Sequence, residues 1–272
     1  MDYLIVGGDR RMSWLARLLS QRGRDVAAWG QEPQPGVAAA GPGALKYAEN
    51  VVVNCPPRMP GRGLGFREVL DAVPADARVF ACGPGRPEVE DGRVIDLWAD
   101  EALKVANARL TAEGAVASAM RASSRALGET RCLVVGWGRI GRALTELLVG
   151  MGSRVTVASR SESGRNRAVE RGAEAADTEE IAEVLPGHGL VFNTAPALVL
   201  DGAALRRADR DAMIIDLASA PYGVDLYAAW SRGLRAWREP GLPGRYCPQS
   251  AALAILEAME RHDLSTFRSR TV

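Results

Sequence analysis

The segment Leu133-Val134-Val135-Gly136-Trp137-Gly138-Arg139-Ile140-Gly141 decides the fold that we predict for this chain. Its apolar start is typical of a short buried strand, and the residues after the last glycine have the apolar spacing of a helix. Between them, Gly136 permits a sharp turn, Gly138 lets a ligand approach the backbone, and Gly141 brings the helix close to the strand. The amides of Arg139 and Ile140 would then face a diphosphate. The motif predicts a dinucleotide-binding turn, and the alternative is a glycine turn that serves packing alone.

Short apolar runs alternate with helical patterns on both sides of this segment, and glycine or proline bounds most of the runs. We therefore predict an α/β fold of two doubly wound Rossmann-like domains, joined by a long helix, with a cleft between them. The predicted strands are 1–6, 25–29, 51–53, 78–81, 94–97, 131–135, 154–158, 190–193 and 212–217. The predicted helices are 12–22, 139–151, 163–171, 178–185 and 249–262.

The predicted boundaries assign residues 1–99 to a flavodoxin- or Rossmann-like substrate domain and residues 128–246 to an NADP-binding Rossmann domain. Residues 100–127 contain no proline and only Gly114, so we predict one long linking helix that Gly128 closes. Residues 247–272 are expected to form a C-terminal helix that returns to the first domain. The linking helix carries one polar stripe, which either lines the cleft or faces solvent; its residues are Lys104, Asn107, Thr111 and Ser118.

Composition excludes several classes of protein. With 272 residues, 47% of them hydrophobic and 25% charged, the chain is long enough for two ordinary globular domains. A formal net charge of +1 gives no general attraction to nucleic acid or to an anionic membrane, and no apolar run approaches the roughly 20 residues of a membrane span. No secretory signal is recognisable, so we expect a cytoplasmic protein. The dispersed Cys55, Cys82, Cys132 and Cys247 are expected to be reduced thiols, and no metal site is predicted.

The residues after the next strand indicate the type of coenzyme. Proteins that bind NAD usually place an acidic residue there to hold the ribose hydroxyls, whereas this chain has Ser159-Arg160-Ser161. A guanidinium can pair with a 2′-phosphate that a carboxylate would repel, and the serines can donate hydrogen bonds. NADP is therefore favoured over NAD. The alternative is an ordinary surface arginine in a loop.

Two later strands also end in residues of interest at the edge where nicotinamide lies in such sheets. One is followed by Thr194-Ala195-Pro196, and the other ends in Asp216-Leu217-Ala218. We assign both groups to the coenzyme site. Asp216 has a second interpretation, in which it caps a turn without touching a ligand.

With these residues in view, the chain resembles the A subunits of dipicolinate synthase, a sporulation enzyme, over essentially its whole length. The resemblance depends on the order and combination of short motifs rather than on any one of them. These motifs are Gly7-Gly8-Asp9-Arg10, Asn107, Thr111-Ala112-Glu113-Gly114-Ala115, 135–141, Phe192-Asn193-Thr194-Ala195-Pro196, Ile215-Asp216-Leu217-Ala218-Ser219 and Gly241-Leu242-Pro243-Gly244. The broader architecture looks like that of D-2-hydroxyacid dehydrogenases and S-adenosylhomocysteine hydrolases.

The resemblance implies oxidation of a dihydrodipicolinate, or of its 4-hydroxytetrahydro precursor, to pyridine-2,6-dicarboxylate. It also implies a partner, the flavoprotein-like B subunit, and a location in the mother cell of a sporulating bacterium. A dicarboxylate needs cations and hydrogen-bond donors. The residues that we assign to the substrate are Gly8, Asp9, Arg10, Asn54, Lys104, Asn107 and Thr111, with capping, turn or surface roles as the alternative.

No catalytic base is assigned from the sequence. The chain has only His188 and His262, and we expect both at the surface, His188 at the amino edge of the second sheet. Lys104 or Asp9 would assist a ring oxidation that needs little acid–base help. Two alternative functions stay open: another NADP-dependent hydroxyacid or shikimate-type dehydrogenase, and a subunit that senses NADP without turnover. A homodimer is also compatible with the sequence.

Overall fold

The computed structural model describes residues 1–54, 65–85 and 89–269, with the side chains of the last helix described as far as Asp263. The chain divides into two compact units. The first comprises residues 1–107 and 243–272, and the second comprises residues 108–242. The division therefore falls inside the long helix, at Asn107, rather than at residues 99 and 128.

Among the described residues, each unit has one parallel sheet of six strands. In the first unit the order is β3-β2-β1-β4-β5-β6, and the strands are β1 (Tyr3–Val6), β2 (Val26–Trp29), β3 (Ala38–Ala39), β4 (Asn50–Asn54), β5 (Arg78–Cys82) and β6 (Val94–Asp96). In the second it is β12-β11-β10-β7-β8-β9, with β7 (Arg131–Val135), β8 (Arg154–Ala158), β9 (Glu174–Ala176), β10 (Leu190–Asn193), β11 (Met213–Asp216) and β12 (Arg235–Arg238). Both have the doubly wound Rossmann order, so the predicted fold class is confirmed.

Helices connect the strands of each sheet. Their ranges are α1 (Arg10–Gln21), α2 (Phe66–Ala72), α3 (Glu101–Ala122), α4 (Arg139–Gly150), α5 (Glu162–Glu170), α6 (Ile181–Val184), α7 (Gly202–Leu205), α8 (Leu226–Ser231), α9 (Leu242–Tyr246) and α10 (Pro248–Ser269). The central strands β1 and β10 are buried throughout, and β7 is buried after Arg131, because both faces of these strands are covered. Helix α10 belongs to the first unit, where Ile255 and Met259 share a buried cluster with Leu15 and Leu19 of α1.

The long helix ends earlier than predicted. It stops at Ala122, because the Ser123 hydroxyl bonds to the backbone amide and carbonyl of Arg125 at 3.0 Å each and replaces the next helical turn. Gly128 lies in a separate 3-10 turn, Leu127–Glu129, and does not close the helix. The helix predicted over 178–185 is a 3-10 turn followed by the short α6.

No helix in the described part of the chain is long and apolar enough to cross a membrane.

Candidate coenzyme site

Close backbone packing explains two of the glycines in the turn of the second unit. Gly136 has φ +102°, and a Cβ there would lie 2.6 Å from Thr194 Oγ1. A Cβ on Gly141 would lie 2.1 Å from the Gly136 carbonyl oxygen, so α4 can approach β7 only because this residue is glycine. The chain itself therefore requires both residues to be glycine.

Gly138 is different because nothing in the chain requires it to be glycine. It has φ −77°, and a Cβ there would meet no atom within 4 Å. It is the N-cap of α4 with no side-chain capping bond, and the first turn of the helix carries no acidic residue. The positive end of the α4 dipole thus has neither a capping nor an acidic side chain beside it, and the adjacent space is open. This is the arrangement that a phosphate group needs. A coenzyme diphosphate fits this position.

Thr194, assigned to the coenzyme site from the sequence, fastens the glycine turn to the neighbouring strand. Its amide and its hydroxyl donate to the Val135 carbonyl at 2.8 and 2.9 Å. The residues that follow it at the carboxyl edge of the sheet become progressively exposed, with Ala195 half-buried and Pro196 open to solvent. Within the chain, the hydroxyl of Thr194 therefore shapes the turn.

The loop after β8 presents one cation to solvent. Ser159 is buried, Ser161 caps α5 by accepting a hydrogen bond from the Gly164 amide at 3.2 Å, and Arg160 between them is exposed. Within the part of the chain that the structure describes, no partner is recorded for the Arg160 guanidinium. An exposed arginine is what recognition of an additional phosphate would require in this loop. The hydroxyl groups of the two serines already accept hydrogen bonds from backbone amides.

Arg165, which was not assigned to the site from the sequence, fixes the backbone of this loop. Its Nη1 donates to the carbonyls of Ser159 and Arg160 at 2.7 and 3.2 Å and pairs with Asp177. The pKa of Asp177 is lowered, first because its carboxylate accepts the Glu179 amide and also because Arg165 lies beside it. The loop conformation is thus fixed by Arg165, which leaves Arg160 to point outward.

Trp137 joins the glycine turn to this loop. A Cβ on Gly164 would lie 3.1 Å from Trp137 Cδ1 and 2.9 Å from Ser159 Oγ, so the indole, the serine and the start of α5 meet where only glycine fits. The indole Nε1 is buried and has no hydrogen-bond acceptor in the described structure. The structure thus brings together the two parts of the site that the sequence assigned to the diphosphate and the ribose.

Asp216 lies at the end of β11 and is 1% exposed. Its carboxylate accepts Asn193 Nδ2 at 2.7 Å and the amides of Ala218 and Gly223 at 3.2 and 3.3 Å. Leu217 is buried and Ala218 is half-buried beside it. Asp216 therefore organises the loops at the carboxyl edge from the inside, in agreement with its second interpretation.

Four of the residues assigned to the substrate lie after β1 or at the end of β4, at the carboxyl edge of the first sheet, namely Gly8, Asp9, Arg10 and Asn54. Asp9 caps α1 through the Arg11 amide at 3.0 Å, and it also accepts three hydrogen bonds from the Arg11 guanidinium at 2.8–3.1 Å. A Cβ on Gly8 would lie 3.3 Å from the Asn54 Cβ, so these two residues are neighbours, while Arg10 is exposed. Asp9 is thus engaged by its own helix.

The polar stripe of α3 is only partly buried. Lys104 is half-buried and lies 3.8 Å from Glu101, Asn107 is half-buried, and Thr111 is buried. In the second unit, Ser118 Oγ donates to Glu239 Oε1 at 2.5 Å. Ser118, at the end of the polar stripe, therefore contacts another residue of the chain rather than solvent.

One histidine prediction is wrong. His188 does lie before β10, at the amino edge, but it is only 2% exposed, and its Nε2 is 2.9 Å from Thr156 Oγ1. Burial lowers the pKa of His188, so a neutral ring is favoured. Cys82, at the carboxyl end of β5, is also buried, and burial raises the pKa of its thiol to about 11. Both groups are therefore buried in their uncharged forms, and neither is indicated as an acid–base residue.

Comparison with known proteins agrees with this geometry. Residues 101–220 match the model of the D-isomer specific 2-hydroxyacid dehydrogenase, NAD binding domain. Over 198 residues the chain is 26% identical to the A subunit of dipicolinate synthase from Bacillus subtilis (strain 168). The chain is similar to this dipicolinate synthase protein. That alignment covers 71% of this chain and 66% of the Bacillus protein, just under two thirds of its length.

Solved structures show the same fold. The crystal structure of the dipicolinate synthase A subunit from Bacillus halodurans matches with a TM-score of 0.81 at 22% identity, covering 96% of each chain. A D-lactate dehydrogenase from Salmonella matches with a TM-score of 0.64 at 14% identity, covering 96% of this chain and 95% of that one. The family model supports a nicotinamide coenzyme and does not distinguish NADP from NAD.

Proposed function

We propose that this chain is an NADP-dependent oxidoreductase, the A-type subunit of a dipicolinate synthase, which forms pyridine-2,6-dicarboxylate from a dihydro- or 4-hydroxytetrahydrodipicolinate. The observation that carries the proposal is Gly138, a glycine that the fold does not need at an uncompensated helix start. The similarity to the Bacillus dipicolinate synthase protein supports the reaction. A flavoprotein-like B subunit is the proposed partner, and the cytoplasm of the mother cell is the proposed location.

The chain's own residues supply binding and orientation. The amides at the start of α4 would hold the diphosphate, and Arg160 would pair with the 2′-phosphate of the adenosine ribose. Thr194 and Asp216 fix the loops at the nicotinamide end of the sheet. When bound, NADP⁺ supplies the acceptor for a hydride from the dihydro ring, which also loses a proton and becomes aromatic, and a 4-hydroxytetrahydro substrate would first have to lose water. Since aromaticity makes this oxidation favourable, alignment and exclusion of water are what the protein must provide.

The family match favours a second candidate, a hydroxyacid dehydrogenase. Such enzymes typically need a histidine base near the nicotinamide. Here His188 is buried at the opposite edge of the second sheet. This arrangement argues for a ring oxidation with little acid–base help.

The coenzyme assignment is tested by exchanging Arg160 for Gln and measuring the Kd for NADP and for NAD by calorimetry. Loss of one charge-assisted pair, worth about 1.5–3 kcal/mol, should weaken NADP roughly ten- to hundredfold and leave NAD unchanged. The control is Arg171→Gln at the far end of α5, where the arginine pairs with Glu146 at 3.3 Å. An unchanged preference would refute the role of Arg160, and failure of both coenzymes to bind would refute the whole proposal.

The reaction is tested by reconstitution with the B subunit of a dipicolinate synthase, following formation of pyridine-2,6-dicarboxylate by its ultraviolet absorbance. NADP reduction with this product supports the proposal. Turnover of D-lactate or shikimate alone would favour another dehydrogenase, and tight coenzyme binding without any turnover would favour a sensing role.

A further inference from the structure

Arg238 ends β12 at the carboxyl edge of the second sheet, in register with Asp216 of β11. Its guanidinium carbon lies 3.9 Å from the centroid of the Tyr222 ring, and its Nε lies 3.6 Å from Asp216 Oδ2. The side chain is nevertheless 40% exposed. An arginine is thus held on one face by an aromatic ring and along one edge by a buried carboxylate, and it is still open to a ligand.

The carboxylate behind Arg238 is itself rigid. The side chain of Asp216 is 0% exposed, and three neutral donors already satisfy it, namely the Asn193 side chain and the amides of Ala218 and Gly223. Hydrogen bonds from these donors stabilise the buried charge without the arginine. At 3.6 Å, Arg238 is oriented by the carboxylate but makes no hydrogen bond with it.

The ring beneath Arg238 is held just as firmly. Tyr222 has φ +69°, a conformation that few residues other than glycine adopt. Its amide donates to the Ser219 carbonyl at 2.9 Å, and the Gly223 carbonyl accepts the amides of Val199 and Leu200 at 3.2 and 2.9 Å. Such a backbone persists only where the surroundings determine it strongly, and this is common at functional sites.

None of the five guanidinium N–H groups of Arg238 makes a hydrogen bond to a described residue, and four of the five belong to the two terminal nitrogens. These groups form a planar fork that matches a carboxylate. They lie at the edge where nicotinamide and substrate meet in doubly wound sheets. A role in neutralising Asp216 alone would require neither the stacked ring nor an outward fork.

We propose that Arg238 binds a carboxylate group of the substrate, with Tyr222 and Asp216 as its positioning residues. The inference rests on the proposed function for the presence of a small carboxylate beside the nicotinamide. The sequence did not indicate this role for Arg238.

The test measures the affinity of the NADP-loaded chain for four probes by calorimetry: pyridine-2,6-dicarboxylate, its neutral diamide, oxalate and D-lactate. In Arg238→Gln, the Kd for the bound carboxylate should rise roughly ten- to hundredfold, while the Kd for NADP stays within about twofold. Arg238→Lys keeps the charge but loses the fork, so its affinity should be intermediate. The control is Arg235→Gln on the same strand, where the arginine donates to the Ala122 carbonyl at 2.7 Å.

The outcomes separate the two proposals. One outcome is that oxalate or D-lactate binds, pyridine-2,6-dicarboxylate does not, and Arg238→Gln abolishes the binding of the smaller acid. In that case the proposed substrate is wrong, and the role of Arg238 in binding a carboxylate is supported. The inference about Arg238 is overturned if Arg238→Gln binds the carboxylate as tightly as the wild type does. It is also overturned if the affinity for NADP and the melting temperature of this variant fall in proportion to its affinity for the carboxylate. Failure of the wild type to bind any of the carboxylates overturns both.

Discussion

The two glycine turns of this molecule occupy the same place in two sheets of the same strand order. In each, the first strand runs into a turn with glycine at positive φ, +58° and +98° at Gly7 and Gly8 and +102° at Gly136, and a helix of twelve residues follows. They differ at the N-cap. Asp9 places its own carboxylate at the start of α1 and holds Arg11 there, whereas Gly138 leaves the start of α4 bare.

The difference shows that topology alone does not make a dinucleotide site. A helix start favours an anion, and the first unit supplies that anion from its own chain. Gly244 packs so closely on Asp9 that a Cβ there would lie 2.6 Å from Oδ2, which leaves still less room for a phosphate. The second unit leaves the same position for an external anion, so coenzyme binding is assigned to it alone.

The largest effect is expected from Gly141→Ala. The new Cβ would overlap the Gly136 carbonyl, so the helix must move away from the strand. We expect a loss of stability of about 3 kcal/mol and no measurable coenzyme binding. Gly150→Ala at the other end of α4 is the control, since its Cβ meets nothing within 4 Å. Denaturant unfolding and calorimetry check both variants, and equal behaviour of the two would refute the packing argument.

The sharpest separation of fold from binding is expected from Gly138→Ala. The described chain has space for the methyl group, so only the poorer capping by alanine should reduce stability, by about 0.5–1 kcal/mol. A methyl group against the diphosphate should raise the coenzyme Kd roughly ten- to hundredfold, as expected for an overlap of about 1–3 kcal/mol.

Gly8→Ala, in the glycine turn of the first unit, should behave in the opposite way. Its positive φ and the approach of a Cβ to Met12 Cγ at 2.5 Å should cost about 1–2 kcal/mol of stability, with no change in coenzyme affinity. If Gly8→Ala weakened the coenzyme and Gly138→Ala did not, the assignment of the two turns would have to be reversed.

The smallest effect is expected from Asp9→Ala, which removes the cap of α1. We expect a loss of about 1 kcal/mol in stability and an unchanged coenzyme Kd. Asp225→Ala is a matched cap in the second unit, where the carboxylate accepts the Ala228 amide at 2.9 Å without an arginine partner. The excess loss in Asp9→Ala measures the contribution of Arg11. A weakened coenzyme in this variant would contradict the comparison of the turns.

Much of this architecture could be predicted from the sequence because it depends on local patterns. The three valines of β4 and the first three residues of β10 form apolar runs, since both faces of a parallel sheet are buried. The steric demand at Gly141 acts between residues close in the chain, because its Cβ would meet the Gly136 carbonyl, whereas the demand at Gly136 comes from Thr194, which is distant in the sequence. The edge strands β3, β9 and β12 were missed because they have only two to four residues.

The missed parts of the site depend on contacts that sequence spacing does not reveal. Arg165 acquires its role only because β9 brings Asp177 beside it. Arg238 acquires its role through register with Asp216 across two strands and through the backbone of Tyr222. The stop of α3 at Ser123 depends on a side-chain bond to the backbone that competes with the helix.

The hold of Arg165 on two carbonyls has a consequence for how this protein can diversify. Arg165 fixes the course of the loop after β8, and the side chain proposed to pair with the coenzyme belongs to a different residue of that loop, Arg160. The residue at position 160 can therefore change in evolution, and the coenzyme preference with it, while Arg165 keeps the conformation of the loop.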